Sequence, residues 1–216
     1  MFVTFEGIEG CGKTTQVRRL VKRMEYREIP VVRTLEPGGT GIGEKIRRIL
    51  LDARHKNLLP LTELLLYEAD RAQHVEEVIR PALKQRKWVI CDRFCDATVA
   101  YQGVGRGQNM AWVETLNAWV TRGVRPDRTF LLDCPVELGL ERAHLRNQEL
   151  SDRGQDRFEQ ERLDFHAGVR QGYLELARAD VDRFVIIDAR QTEDQLEEEI
   201  FGHLSPYLEG PQSDVV

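Results

Sequence analysis

The run FVTFEGIEGCGKTT, residues 2–15, constrains the fold more than any other part of this chain. An apolar, β-rich segment (2–6) ends in Glu6. The glycine-rich turn that follows satisfies G-x4-G-K-[ST] with Gly7, Gly12, Lys13 and Thr14. Helical periodicity starts at once, with Val17, Leu20, Val21 and Met24 spaced along one face of a helix over 14–27. A strand that passes through glycines into a helix N-terminus makes a phosphate cradle. With no Cβ in the way, backbone N–H groups converge on phosphate oxygens, and the helix dipole adds positive potential. Gly7, Ile8, Glu9, Gly10, Cys11, Gly12, Lys13, Thr14 and Thr15 are therefore the expected contacts to a nucleoside triphosphate such as ATP. Lys13 reaches the terminal phosphates and the Thr14 hydroxyl is a candidate ligand for Mg2+. The competing reading is an ordinary glycine-rich turn between a strand and a helix.

The rest of the chain keeps alternating in the same way. VVRTL (31–35), WVICD (88–92), TFLLD (129–133) and FVIID (184–188) read as strands, with helical patterns between them and a last one over about 192–204. Pro37, Gly38, Gly39 and Gly41 form a turn into EKIRRILLD, and Pro60 opens a long helix that Pro81 is expected to bend near its end. Such alternation predicts an α/β fold: a five-stranded parallel sheet flanked by helices, with ligands beyond the carboxyl ends of the strands. Glu6, Asp92 and Asp133 end strands there. RNQELSDRGQDR (146–157) is polar and turn-rich inside a helical region, and reads as an insertion; EGPQSDVV reads as a frayed tail. The length suits a single domain over 1–208, with 209–216 as a disordered tail.

Composition narrows the class. A net charge of −5, from 31 basic and 36 acidic residues, lacks the basic surplus of a nucleic-acid binder. No run approaches 18 apolar residues and no apolar leader is visible, so neither a membrane span nor a secretory signal is expected. Cys11, Cys91, Cys95 and Cys134 lack zinc-ligand spacing, and CDRFC is C-x3-C, not a redox C-x-x-C; reduced thiols in a cytoplasmic protein are the expectation.

A phosphate cradle identifies a triphosphate and not a reaction. A GTPase switch needs D-x-x-G and N-K-x-D, and neither is found; a regulatory ATPase acting on a partner stays open. A kinase of small molecules is favoured by arginines near strand ends and in the charged insertion, because phosphoryl transfer needs positive charge at donor and acceptor alike. Asp92 is a candidate for water-mediated Mg2+ contact, and Arg93 for a bidentate grip on an acceptor phosphate.

FEGIEGCGKTT, EPGGT, YEADRAQH, DRF…TVAYQGVGRG, RPD and DRFEQE occur in the order and spacing of thymidylate kinases, over about residues 2–205. The resemblance, closest to the bacterial branch, implies a P-loop NTPase fold with a lid insertion (about 143–157), Mg2+-dependent transfer from ATP to dTMP, and a homodimer. It places dTMP against Glu9, Glu36, Pro37, Tyr67, Arg71, Arg93, Thr98, Tyr101 and Gln102. Tyr67 would stack on thymine and Arg71, one helical turn on, would meet the base edge or the monophosphate. Thr98 and Gln102 would bond the base edge, Tyr101 would crowd the sugar 2′ position, and Glu9 would orient sugar and phosphate. Without an arginine in the P-loop, the catalytic cation is sought among Arg142, Arg146, Arg153 and Arg157 of the lid. Arg146 and Arg153 are expected to join Lys13 and Arg93 in catalysis, and Arg142 to lie on ATP. No general base is needed, since a phosphate acceptor with a second pKa of about 6 is mostly dianionic at neutral pH. Another nucleoside-monophosphate kinase of this fold is the alternative. Three departures from the family pattern stand out: Leu35 in place of a frequent arginine, Ala97 in place of serine, and Tyr67 in place of phenylalanine.

Overall fold

The computed structural model describes residues 1–149 and 157–208. The five strands among them form one parallel sheet in the order β2-β3-β1-β4-β5. They are β1 (Phe2–Glu6), β2 (Val31–Leu35), β3 (Trp88–Asp92), β4 (Arg128–Asp133) and β5 (Phe184–Asp188). Period-two alternation sends Val3, Phe5 and Ile90 into one hydrophobic layer and Phe2, Val89 and Cys91 into the other, so both faces of the sheet are covered. The buried hydroxyls of Thr4 and Thr129 satisfy each other at 2.8 Å between β1 and β4.

Register aligns the ends of the strands that matter. Asp92 is level with Phe5 of β1 and Leu35 of β2, so the segments leaving all three strands open into one crevice. β1 lies between β3 and β4, and the chain crosses from one side of it to the other, which makes its carboxyl end the switch point where ligands bind in such sheets.

Helix α1 (Lys13–Tyr26) leaves the glycine loop directly. Thr40 caps α2 (Gly41–Leu51) by accepting the Gly43 N–H at 2.9 Å. Helix α3 (Pro60–His74) starts on its proline, as position N1 allows. The expected bend at Pro81 takes a different form. A wide π-helical turn, Val75–Ile79, precedes it, and the Arg80 N–H reaches Val75 O before α4 (Arg80–Lys84) resumes. A proline ring crowds the carbonyl four residues back, and a wider turn upstream relieves that conflict. A second π-helical turn, Val99–Gly105, extends α5 (Cys95–Thr98) and carries Tyr101 and Gln102. Further on come α6 (Met110–Thr121), α7 (Val136–Glu149), α8 (Leu163–Ala179) and α9 (Glu193–Leu208); the last runs beyond its expected end, through Pro206.

The four cysteines are free thiols. Burial pushes Cys91 and Cys95 well above the usual thiol range, and Cys134 up to about 11, which leaves them protonated and weakly nucleophilic. Among the described residues no helix is long and apolar enough to cross a membrane.

Candidate active site

The glycine loop is shaped by backbone approach as much as by torsion. Gly10 has φ +67°, and a Cβ there would stand 1.9 Å from Gly139 O, so the loop rests directly on the backbone of α7. Lys13 folds back over the loop it follows, donating to Gly7 O at 3.0 Å and Ile8 O at 2.8 Å, with Cys11 Sγ at 3.4 Å. These carbonyls hold the ammonium where phosphate oxygens are expected. Thr14 Oγ1 donates to Asp92 Oδ2 at 2.5 Å, which joins the two candidate Mg2+ residues across β1 and β3. Mg2+ keeps several waters and takes few protein oxygens beside substrate phosphates, so one hydroxyl and one carboxylate are a donor set that fits it.

Arg93 lies just past β3 in the left-handed region, at φ +70°. Such a conformation costs roughly 1 kcal/mol or more and persists where surrounding contacts impose it. Four contacts do so here. One terminal nitrogen donates to Gly7 O at 2.9 Å and Tyr173 Oη at 3.0 Å, the other to Glu9 Oε1 and Tyr101 Oη, both at 3.1 Å. Among the described residues only its Nε–H has no acceptor, so a bidentate grip on phosphate requires Arg93 to exchange some of these partners.

Two carboxyls beside Arg93 are driven apart. Burial raises Glu9, but His166, Arg93, Lys13 and Tyr101 together outweigh it and hold the carboxyl at about 2. The Tyr101 hydroxyl donates to Glu9 Oε1 at 2.6 Å, and His166 Nδ1 stands 3.3 Å from Oε2. Glu6 goes the other way, to about 8, through burial and the nearby Asp96 charge; Tyr173 Oη and the Phe94 N–H donate to it at 2.8 Å and 2.7 Å. One residue of the pair is ionised near neutral pH and the other protonated, which sorts a functional anion from a structural acid.

The same cleft, of about 340 Å³, continues from Glu9, Lys13 and Thr14 to a wall containing Tyr67, Thr98 and Gln102. Tyr67 is half-buried there. Arg71 also borders the cleft but is fully committed. Its five N–H donors meet Glu36 Oε2 at 2.9 Å, Glu68 Oε1 at 3.0 Å, Asn117 Oδ1 at 2.7 Å, Phe94 O at 3.2 Å and Thr98 Oγ1 at 2.9 Å. In this conformation Arg71 braces the wall. Glu36 also takes the His74 Nδ1 proton at 2.8 Å and the Gly38 N–H donates to Asp70 Oδ1 at 3.0 Å, so with Arg71 the EPGGT turn is tied to α3 three times. Arg47 donates to Pro37 O at 2.9 Å and borders the cleft with Leu35 and Arg33, so two guanidinium groups flank the position where Leu35 lacks one.

The lid arginines separate in space. Arg146 borders the cleft, half exposed, and pairs with Glu159 at 3.2 Å. Arg142 turns to Ala189 O at 3.0 Å, past β5, away from the cleft wall. Arg157 is pinned to Leu50 O at 2.5 Å and Glu63 Oε2 at 2.6 Å. Arg153, with the rest of 150–156, lies outside the described residues. Asp133, a strand-end acid, pairs with Arg170 at 2.6 Å and 2.8 Å and takes no part in the cleft.

Three residues that sequence reasoning passed over now stand beside the site: Glu63, Arg106 and His166. Glu63 had a readable signal, lying four residues before Tyr67 and eight before Arg71 on one helical face. His166 and Arg106 had none, because their partners are distant in sequence.

A phosphate cradle whose cleft runs on into an aromatic-walled, arginine-flanked pocket, on a β2-β3-β1-β4-β5 parallel sheet, defines a P-loop phosphotransferase. Known proteins agree and go further. The family model for thymidylate kinase matches residues 5–200. A thymidylate kinase of Pelobacter propionicus is 53% identical over 199 residues, 92% of this chain and 91% of that protein. One of Citrifermentans bemidjiense is 55% identical over 87% of this chain and 83% of its own length. The crystal structure of thymidylate kinase from Ehrlichia chaffeensis superposes with a TM-score of 0.74 at 34% identity, covering 94% of this chain and 98% of that one. The chain belongs to the thymidylate kinase family.

Proposed function

We propose that this cleft transfers the γ-phosphoryl group of ATP to dTMP, giving dTDP and ADP, with donor and acceptor phosphates meeting between Lys13 and Arg93. The observation that carries the reading is the continuity of the cleft: the phosphate cradle and the Tyr67 wall bound one space. A regulatory ATPase has no use for such an acceptor pocket. ADP release that depends on dTMP tests the proposal, and release without any acceptor would replace it with the ATPase reading.

Each residue has a task in that reaction. Backbone N–H groups of Gly7–Thr15 and the Lys13 ammonium take the donor phosphates. Thr14 and Asp92 would hold Mg2+, which supplies charge neutralisation between donor phosphates when bound. Tyr67 stacks on the base, and Gln102 and Thr98 bond its edge. Glu9, ionised and steadied by Tyr101, orients the sugar side of the acceptor. Arg93, with Arg47 and Arg33 nearby, faces the acceptor phosphate. Arg146 and Arg153 supply the cation at the transferring group, and Arg142 the adenine side of ATP. The domain is taken as residues 1–208 and the setting as cytoplasmic, in keeping with four free thiols.

The assembly proposed is a homodimer. Trp112 and Trp119, seven residues apart on α6, are 67% and 75% exposed, and Leu61 and Leu65 on α3 are 56% and 49% exposed. Helices α3 and α6 pack against each other, and apolar exposure of this extent marks an interaction surface. Trp119→Glu is expected to convert a dimer to a monomer in size-exclusion chromatography with light scattering at micromolar concentration. A wild-type monomer under the same conditions would rule the dimer out.

A further inference from the structure

Glu63 is the most heavily contacted carboxylate near the cleft that the reaction does not use. It is 1% exposed, on α3 one helical turn before Tyr67. Gln102 Nε2 donates to its Oε1 at 2.9 Å and Arg106 Nε to the same oxygen at 3.2 Å; a terminal nitrogen of Arg157 meets Oε2 at 2.6 Å. Arg106 is shared with Glu161 at 2.7 Å. We propose that Glu63 is a positioning residue that sets the acceptor-base preference by fixing which end of the Gln102 amide faces the cleft. The inference rests on the acceptor reading above.

The argument is one of donors and acceptors. An ionised carboxylate only accepts, so the amide must present its NH2 group to it. The opposite flip would set two oxygens 2.9 Å apart with no proton between them. Glu63 is kept ionised: burial pushes its carboxyl up, but Gln102, Arg157 and Arg106 together bring it below the usual range. The amide oxygen of Gln102 is then left for the cleft that the residue lines, and among the described residues no donor reaches it. Thr98, which also lines the cleft, accepts from Arg71 at 2.9 Å and so keeps its hydroxyl proton to donate. The wall therefore offers one acceptor and one donor. Thymine and uracil present a ring N–H flanked by carbonyls, which matches. Cytosine presents a bare ring nitrogen beside an amino group, and would set a lone pair against the Gln102 oxygen. A buried polar wall left unpaired in this way discriminates strongly. A glutamine at position 63 accepts or donates, and releases the lock.

The test compares kcat/KM for dTMP and dCMP, with ATP, in wild type and Glu63→Gln. Wild type is expected to favour dTMP by about 10³-fold or more. In the variant the KM for dTMP rises about tenfold and the dTMP/dCMP ratio falls about tenfold or more, as loss of one buried polar contact predicts. In a Gln102→Ala background Glu63→Gln leaves the ratio unchanged. Arg106→Met, which removes an ion-pair partner of Glu63 but not the amide contact, lowers thermal stability without moving the ratio. The proposal is overturned if Glu63→Gln lowers kcat/KM equally for both acceptors. It is also overturned if the ratio shift persists without Gln102, or if Arg106→Met reproduces it. Should Glu63→Gln not fold, Glu63→Asp withdraws the carboxylate and reads the same ratio, and an unchanged ratio is again fatal. Wild type inactive on dTMP would fail the acceptor reading itself, a separate result.

Discussion

Lys13→Ala is expected to lose phosphoryl transfer by at least about 10²–10³-fold, the scale of a deleted charge contact to a developing oxyanion. The fold should survive. Among the described residues the ammonium hydrogen-bonds only Gly7 O, Ile8 O and Cys11 Sγ, all within the loop, and Gly7 O keeps its bond from Arg93. Losing one such neutral acceptor's partner costs about 1 kcal/mol, or about 2–4 °C in Tm for a chain of this size. Circular dichroism and a thermal melt beside the activity assay separate the two effects. Addition of ATP should raise the Tm of wild type and leave the variant almost unmoved. An unfolded variant would make Lys13 a structural residue and withdraw the argument for its role at the phosphates.

Arg93→Ala should fail on both counts. Its guanidinium is the counter-charge of ionised Glu9 and the hydrogen-bond partner of two tyrosines. Removing one member of a buried ionic network typically costs about 3–5 kcal/mol, enough to lower Tm by roughly 10 °C. The pH dependence has a definite sign. Glu9 is held at about 2, below its ordinary 4.5, so its contribution to stability is present above about 4.5 and is lost as pH falls through the folded value. Without Arg93 that carboxyl rises toward its ordinary range, and the loss between pH 4.5 and 2 shrinks. Transfer should fall by about 10³-fold, because acceptor and donor then lose their common cation. Arg93→Lys, which keeps the charge but not the planar fork, should recover part of the stability and little of the rate. A variant as stable and as active as wild type would show that the Arg93 contacts are incidental.

What could be read from residue order divides along physical lines. All five strands were visible as short apolar runs: β1, β3 and β4 are buried on both faces, and the partly exposed edge strands β2 and β5 keep enough valine, isoleucine and leucine to read the same way. The phosphate cradle was visible for the same reason: its residues are contiguous and their spacing is dictated by backbone geometry. Arg71 was legible as a site residue but not in its bonding, since Glu36 and Asn117 lie 35 and 46 residues away in sequence. The π-helical turns at Val75–Ile79 and Val99–Gly105 have no sequence period of their own, so nothing in the residue order shows that a wider turn carries Gln102. Glu63 lies within LTELLL, which by itself reads only as the start of a long helix. Only the meeting of α3 with the second π-helical turn and the residues after 156 shows it to be buried.

The central claim is that one continuous cleft brings a donor triphosphate to a pyrimidine monophosphate. Steady-state ADP release measured with dTMP, dUMP and CMP in turn, and with no acceptor, tests it most directly. The account predicts turnover that requires an acceptor and runs far faster with dTMP than with CMP. Equal rates with dTMP and CMP, or full turnover with none, would contradict it.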